Sequence, residues 1–149
     1  MNSRQFTCSV VIATFNSEKS LERVLRSVRT QEFDQDLVEI LILDGGSRDG
    51  TLDIARRFGA RVVPNPKTEP VYAKFLALRE AKGKFVVYAD HDEEMATKDS
   101  LRRRIGFLRE NPTFRALASS GYVCPQGLPF VNKYINEFGD PFSFFIYRI

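Results

Sequence analysis

The amino-acid sequence predicts an α/β fold in which helices flank a mostly parallel sheet. Short apolar runs typical of buried strands alternate along the chain with segments of helical periodicity, and polar or glycine-rich turns follow the strands. With 149 residues, of which 43% are hydrophobic, the chain can bury one core of ordinary size. We therefore expect a single domain over residues 1–149, with right-handed crossovers between the strands.

The first half of the chain contains two strand-helix pairs. Residues 8–13 form a nearly continuous apolar run, and Ser17 is expected to cap a helix that continues to about residue 32. A second buried strand is predicted over residues 39–43. A glycine-rich turn leads from it into a short helix over residues 51–58.

The second half repeats this alternation. A third strand is predicted over residues 61–63, where prolines end it, and a helix over residues 71–82. A strand over residues 85–89 leads into an acidic turn, and an amphipathic helix follows over about residues 99–110. The order of elements is that of repeated βαβ units.

Net charge, cysteine spacing and the lengths of apolar stretches indicate which partners and which cellular compartment to expect. Lys and Arg number 22 against 19 Asp and Glu, a net charge of +3 that is too mild to indicate nucleic acid. Cys8 and Cys124 show neither metal-binding spacing nor a disulfide framework, which favours a reducing, cytoplasmic compartment. No apolar stretch approaches the roughly 20 residues of a transmembrane helix, so we expect neither a membrane span nor a signal peptide.

Two further segments bear on partners. Residues 138–149 are rich in aromatic side chains, which we expect to pack on the domain or to meet a missing C-terminal part, a second copy or a bilayer interface. The helix that carries Arg102 and Arg109 permits peripheral contact with the inner face of a membrane, although a solvated helix is the ordinary interpretation.

Three polar loops follow predicted strands, at residues 14–16, 44–49 and 90–93. In an open parallel sheet, ligands bind where the loops at the carboxyl ends of the strands converge. These three loops are therefore expected to face one crevice.

The acidic loop carries the features of a diphosphate and metal site. Asp90 and Asp92 are separated by one residue and follow a hydrophobic strand, so both carboxylates can face a cation that also takes phosphate oxygens and water. Lys74, on the preceding helix, can reach a pyrophosphate. His91 is expected to point away from the two carboxylates. The alternative for the pair is a solvated acidic turn that opens a helix.

The other two loops suit a nucleoside. Phe15 offers an aromatic face for a base, and Thr14 and Asn16 flank it in the same loop. Asp44 can hydrogen-bond a base or a ribose, and Gly45 lets the backbone come close to a ligand. The alternatives are a core position for Phe15 and an ordinary glycine-rich helix entry after Asp44.

Three segments in this order resemble the inverting family 2 glycosyltransferases with the GT-A fold. They are SVVIATFN at residues 9–16, ILDGGSRDGT at residues 42–51 and GKFVVYADHD at residues 83–92. The resemblance covers about residues 7–110, and three motifs in order are far more specific than one alone. It implies that residues 1–149 form a Rossmann-like GT-A nucleotide-binding domain, with the acceptor-binding C-terminal part missing.

The resemblance also implies an activity. It is transfer of a sugar, with inversion, from a nucleotide-diphospho-sugar to the hydroxyl of a sugar or lipid-linked acceptor, with Mg²⁺ or Mn²⁺ as the cofactor. The loop at Thr14 and Phe15 would hold the base, Asp92 would bind the metal and Asp90 would lie near the ribose. Lys74 stands where the family often has an arginine.

Two departures from the family pattern leave questions open. Many members have two consecutive aspartates where this chain has Asp44 and Gly45, which leaves the identity of the nucleotide open. The family's catalytic base lies in a second half that this sequence does not match, so no base is assigned. The alternatives are a non-catalytic nucleotide-diphosphate-binding module and, less favoured, a receiver-like phosphotransfer domain.

Overall fold

The computed structural model describes residues 5–117 of the chain. The elements, in chain order, are β1 (Cys8–Thr14), α1 (Glu18–Arg29), a 3₁₀ helix (Gln35–Leu37), β2 (Val38–Asp44), α2 (Thr51–Arg57), β3 (Arg61–Pro64), α3 (Pro70–Glu80), β4 (Phe85–Ala89) and α4 (Ser100–Glu110). Of the described residues, 5–109 belong to one compact unit. The predicted α/β class is confirmed. The predictions for residues 138–149 and Cys124 lie outside the described residues, and the single domain over residues 1–149 stays a prediction.

The four strands form one sheet in the order β3-β2-β1-β4, and all three neighbouring pairs are parallel. In this register Thr14 pairs with Asp44, and Ile12 pairs with Ala89, the last residue of β4. The ends of β1, β2 and β4 therefore meet at one side of the sheet, which we call the carboxyl edge.

Helices cover both faces of the sheet because successive strand residues point in opposite directions. On one face, Val10 and Ile12 pack in a core with residues of α1, α2 and α4. This core includes Leu25 of α1 and Ile105 of α4. On the other face, Val11 packs with two alanines of α3 in a second core. The continuous apolar runs reflect burial on both faces, as predicted.

Burial differs among the strands. All seven residues of β2 are buried, whereas β4 is only partly buried and Tyr88 is 43% exposed. The acidic turn follows β4, which is hydrophobic in sequence as predicted. Among the described strands, β4 lies at one end of the sheet, where its apolar residues are less covered.

Helix α3 differs from its predicted boundaries at both ends, and each difference has a physical cause. Helix α3 begins at Pro70, one residue earlier than predicted, because proline fits the first turn of a helix. It ends at Glu80 rather than at residue 82. The backbone N–H groups of Lys82 and Gly83 donate instead to the Glu39 carboxylate (2.8 Å) and the Ser9 hydroxyl (2.8 Å).

None of the helices described between residues 5 and 117 has both the length and the hydrophobicity of a membrane-spanning segment.

Candidate functional site

Asp44, the last residue of β2, organises the turn that follows it. Its Oδ1 accepts hydrogen bonds from Thr14 Oγ1 (2.9 Å) and Ser47 Oγ (2.5 Å). Its Oδ2 accepts from the backbone N–H groups of Gly46 (2.9 Å) and Ser47 (2.8 Å). The residue is 6% exposed. The carboxylate therefore holds the glycine-rich turn against the end of β1.

The protonation state of Asp44 follows from the same contacts. Burial favours the neutral acid, but the hydrogen bonds from Ser47, Thr14 and Gly46 outweigh it and hold the pKa of Asp44 below its ordinary value. The side chain is therefore ionised at neutral pH.

Asn16 joins the loop after β1 to the turn after β2. Its backbone N–H donates to Ser47 Oγ (2.9 Å), and its side-chain Oδ1 accepts from the backbone N–H of Arg48 (2.9 Å). Asn16 has a φ of 49°, in the left-handed region that asparagine tolerates better than most residues. The two loops thus form one hydrogen-bonded surface.

Ser47 was not predicted as a site residue, although its hydroxyl and backbone both contact Asp44 and its hydroxyl also contacts Asn16. Its position three residues after an aspartate is a turn signal, because aspartate side chains accept hydrogen bonds from backbone groups two or three residues ahead. The contact with Asn16, 31 residues earlier in the chain, leaves no such local signal.

Phe15 and Thr14 have opposite environments. The side chain of Phe15 is among the exposed large hydrophobic groups, at 52%, so it does not occupy the core position considered as an alternative. Thr14 is 4% exposed, and its hydroxyl contacts Asp44. Phe15 is thus the member of this loop that offers an open aromatic face.

Asp49 completes the start of helix α1. The sequence predicted that Ser17 caps this helix, but its side chain makes no capping hydrogen bond. The Asp49 Oδ2 accepts instead from the backbone N–H of Glu18 (3.1 Å), and its Oδ1 accepts from the N–H of Thr51 (3.0 Å). One aspartate therefore accepts from the first turns of two neighbouring helices. Its contact with Glu18, 31 residues earlier in the chain, leaves no local signal.

Gly45 is required by the loop that packs against it. A Cβ atom at this position would lie 2.8 Å from Thr68 Cγ2, closer than any van der Waals contact allows. The Thr68 hydroxyl also donates to the carbonyl of Gly45 (3.0 Å). The close approach at Gly45 is thus to a neighbouring segment of the chain.

Lys74 and Asp90 meet at one crevice beside the sheet. Helix α3, β1 and β4 line it through the residues Val11, Ala13, Pro70, Ala73, Lys74, Tyr88, Ala89 and Asp90. The Tyr88 hydroxyl donates to the backbone carbonyl of Lys74 (3.0 Å) and ties the helix to the strand. A cation and a carboxylate that are 16 residues apart in the sequence thus share a cleft at the carboxyl edge.

Asp90 and Asp92 are both exposed, whereas His91 between them is partly buried. The His91 Nδ1 lies 3.2 Å from the Ser20 hydroxyl, so the ring faces helix α1. Within residues 5–117, no three His, Cys, Asp or Glu side chains form a ready-made metal site. Two open carboxylates nevertheless fit a Mg²⁺ or Mn²⁺ ion that takes its other ligands from phosphate oxygens and water.

Comparison with known proteins places this geometry in a family. Residues 9–145 match the sequence model of the family described as Glycosyl transferase family 2. Over 127 residues the chain is 29% identical to the poly(ribitol-phosphate) beta-N-acetylglucosaminyltransferase TarS of Staphylococcus aureus. This match covers 81% of this chain and 22% of TarS. The chain thus spans about a fifth of the length of this curated relative.

Two solved structures share the fold. S. aureus TarS 1-349 in complex with UDP-GlcNAc matches with a TM-score of 0.67 and 27% identity, over 81% of this chain and 37% of that one. The mannosyltransferase PcManGT from Pyrobaculum calidifontis, in complex with GDP-Man and Mn²⁺, matches with a TM-score of 0.63 and 26% identity. That match covers 68% of this chain and 32% of the mannosyltransferase.

Proposed function

Since this chain belongs to glycosyl transferase family 2, we propose that it forms the donor-binding side of an enzyme that transfers a sugar from a nucleotide-diphospho-sugar to an acceptor hydroxyl. The observation that carries the proposal is the meeting of three loops at the carboxyl edge. The turn held by Asp44, the exposed ring of Phe15 and the crevice of Lys74 and Asp90 all lie beside the ends of β1, β2 and β4.

The base, the ribose and the diphosphate of the donor would each have a suitable group at this edge. Phe15 would stack on the base, and Thr14 and Asn16 would shape the loop around it. Lys74 would reach the diphosphate, where its positive charge attracts the negatively charged phosphates. Asp90 would lie near the ribose.

Asp44 and Gly45 belong to the same donor site, and Asp44 has a second task. A carboxylate has about four acceptor positions. Each oxygen of Asp44 already accepts two hydrogen bonds from the protein. We therefore propose that Asp44 acts mainly by holding the nucleotide-binding turn, and that Gly45 serves the same turn by admitting the close approach of Thr68.

The cofactor belongs to the same proposal. Asp92, with Asp90 beside it, would hold Mg²⁺ or Mn²⁺, which when bound neutralises charge on a departing nucleoside diphosphate. The relative solved with GDP-Man and Mn²⁺ supports this choice of ion. The open position of both carboxylates fits a site that a phosphate must complete.

Transfer would proceed with inversion, because a single in-line attack by the acceptor hydroxyl inverts the anomeric carbon. The acceptor would be a sugar, free or lipid-linked. The proposed setting is cytoplasmic, at or near the inner face of a membrane.

The proposal is tested by calorimetry with UDP and GDP, each in Mn²⁺ and in EDTA. We expect Mn²⁺ to strengthen binding of one nucleotide, and Asp92→Asn to remove about tenfold or more of that affinity. Asp53→Asn is the matched control, since Asp53 is an exposed aspartate on α2 that pairs only with Arg56 among the contacts described (2.6 Å). Unchanged nucleotide affinity in Asp92→Asn would contradict the metal assignment.

Binding and catalysis are separated by a second measurement. Release of UDP or GDP from the corresponding nucleotide sugar, above the rate without protein, would support the enzyme. Donor binding with no release in the presence of Mn²⁺ and simple sugar acceptors would favour the alternative of a nucleotide-diphosphate-binding module.

A further inference from the structure

The ten residues between β4 and α4, residues 90–99, form an acidic segment that helix α1 and the turn after it hold in place. The Ser27 hydroxyl accepts from the backbone N–H of Met95 (3.0 Å). The backbone N–H of Glu32 donates to the carbonyl of Lys98 (2.7 Å). The second half of the acidic segment is therefore hydrogen-bonded to α1 and to the turn that follows it.

Gln31 makes the most extensive of these attachments. Its Nε2 donates to the carbonyls of Thr97 (2.9 Å) and Ser27 (3.2 Å), and its Oε1 accepts from the backbone N–H of Leu101 (3.0 Å). The residue is only 6% exposed. One buried amide thus joins the end of α1, the acidic segment and the first turn of α4.

The physical reason for this arrangement lies in the backbone groups that Gln31 satisfies. The first N–H groups of a helix have no partner within the helix, and the Leu101 N–H is one of them. The Leu101 side chain is fully buried, so water is a poor substitute for the glutamine. A buried donor or acceptor without a partner costs more than its hydrogen bond contributes, so loss of the amide favours a shift of the segment.

We propose that Gln31 is a positioning residue that sets the location of the metal-binding carboxylate of Asp92. Thr97, which it holds, comes five residues after Asp92 in the same segment. The other end of the segment is fixed by β4 and by the contact between His91 and Ser20 (3.2 Å). Asp92 thus lies between the contact of His91 on one side and the contacts of Met95, Thr97 and Lys98 on the other. Because Gln31 makes the most extensive of the latter, its removal leaves the place of Asp92 less defined. This inference rests on the proposed function.

The test compares two shape-retaining variants, Gln31→Met and Gln35→Met. Gln35 is the matched control because its amide also donates to backbone carbonyls, those of Val28, Gln31 and Phe33, but makes no described contact with the acidic segment. For each protein, the affinities for UDP and for GDP are measured in Mn²⁺ and in EDTA. For each nucleotide, the affinity in Mn²⁺ is then divided by the affinity in EDTA. We expect the ratio to fall about tenfold in Gln31→Met and to stay as in the natural chain in Gln35→Met.

This ratio separates positioning from stability alone. Both variants lose hydrogen bonds that are at least partly buried and are expected to melt at a lower temperature, but only a displaced Asp92 lowers the metal-dependent part of binding. If Gln31→Met does not fold, Gln31→Glu replaces it, because that change keeps an acceptor for the Leu101 N–H and removes the donor to the Thr97 carbonyl.

The outcomes for the two proposals differ. An unchanged ratio in the folded variant, while the natural chain shows binding enhanced by Mn²⁺, would overturn the role of Gln31 and leave the proposed function standing. A natural chain that binds neither nucleotide more tightly in Mn²⁺ would overturn both.

Discussion

Thr14 and Asp44 end adjacent strands as register partners, and the Thr14 hydroxyl donates to the Asp44 carboxylate over 2.9 Å. The contact joins the two central strands at the edge where their loops diverge. Because Asp44 also holds Ser47, and Ser47 accepts from the backbone N–H of Asn16, the contact is the centre of a network that shapes both loops.

Removal of the charge of Asp44 should weaken this network. In Asp44→Asn the amide NH₂ replaces an oxygen that accepts hydrogen bonds, so one or two buried donors lose their acceptor. We expect the free energy of unfolding to fall by about 2 kcal/mol, measured by urea denaturation. Asp53→Asn, at an exposed position on α2, should leave the urea midpoint unchanged. Equal stability of the two variants would argue against the network.

The contacts of Glu39 make the stability of the folded chain depend on pH in the acid range. Burial alone raises the pKa of its carboxyl, but hydrogen bonds from Ser9, the Lys82 N–H and Arg61 (2.9 Å), with the Arg61 charge, hold that pKa below its ordinary value. The folded state therefore binds this proton less readily than the unfolded chain. Its contribution to stability is complete above the ordinary glutamate pKa of about 4.3 and is lost as the pH falls through the lower, folded value.

The variant Glu39→Gln tests this dependence. It should be less stable than the natural chain at pH 6, with the difference shrinking as the pH falls below about 4. Melting temperatures at several pH values measure the effect, with Glu69→Gln, at an exposed position, as the control. A difference that is constant over this range would show that the charge of Glu39 is not what matters.

Two glycines should respond in opposite ways to alanine. A Cβ atom on Gly83 would lie 2.4 Å from the backbone carbonyl carbon of Cys8, so strand β1 would have to move. Gly106 lies within α4, where an added Cβ meets nothing within 4 Å. We expect Gly83→Ala to prevent folding or to lower the unfolding free energy by about 3 kcal/mol, as overpacking does.

The matched variant Gly106→Ala should raise the unfolding free energy by about 0.5 to 1 kcal/mol, because alanine is the better helix former. Urea denaturation of both variants measures the contrast. A stabilising Gly83→Ala would contradict the close approach of the segment before β4 to β1.

Substitution of Lys74 tests whether the crevice lined by α3, β1 and β4 binds the diphosphate. If its ammonium group contacts the diphosphate, Lys74→Met should weaken UDP or GDP binding about tenfold in both Mn²⁺ and EDTA, because the lysine contact does not require the metal. Lys84→Met is the control, since Lys84 immediately precedes β4, at the opposite end of that strand from Asp90. Calorimetry that finds the two variants equal would remove Lys74 from the site.

The strands and helices were largely predictable from the sequence because their signals are local. Runs such as residues 8–13 are apolar throughout when both faces of a strand are buried, and helical spacing is visible in a single window. The meeting of the loops at residues 14–16, 44–49 and 90–93 also followed, because parallel strands direct all their carboxyl ends to one edge.

The α/β class, the parallel sheet and the edge at which the candidate site lies thus follow from sequence patterns alone. The contacts of individual side chains at that edge depend on the packing of segments that are distant in the chain. The oxygens of Asp44 hold the turn, a task that its predicted contact with a ligand did not include, and Asp49 rather than Ser17 serves the start of α1. Gln31 left no signal at all, because its partner Leu101 is 70 residues away. Hydrogen bonds between distant segments depend on packing, and a local pattern does not encode them.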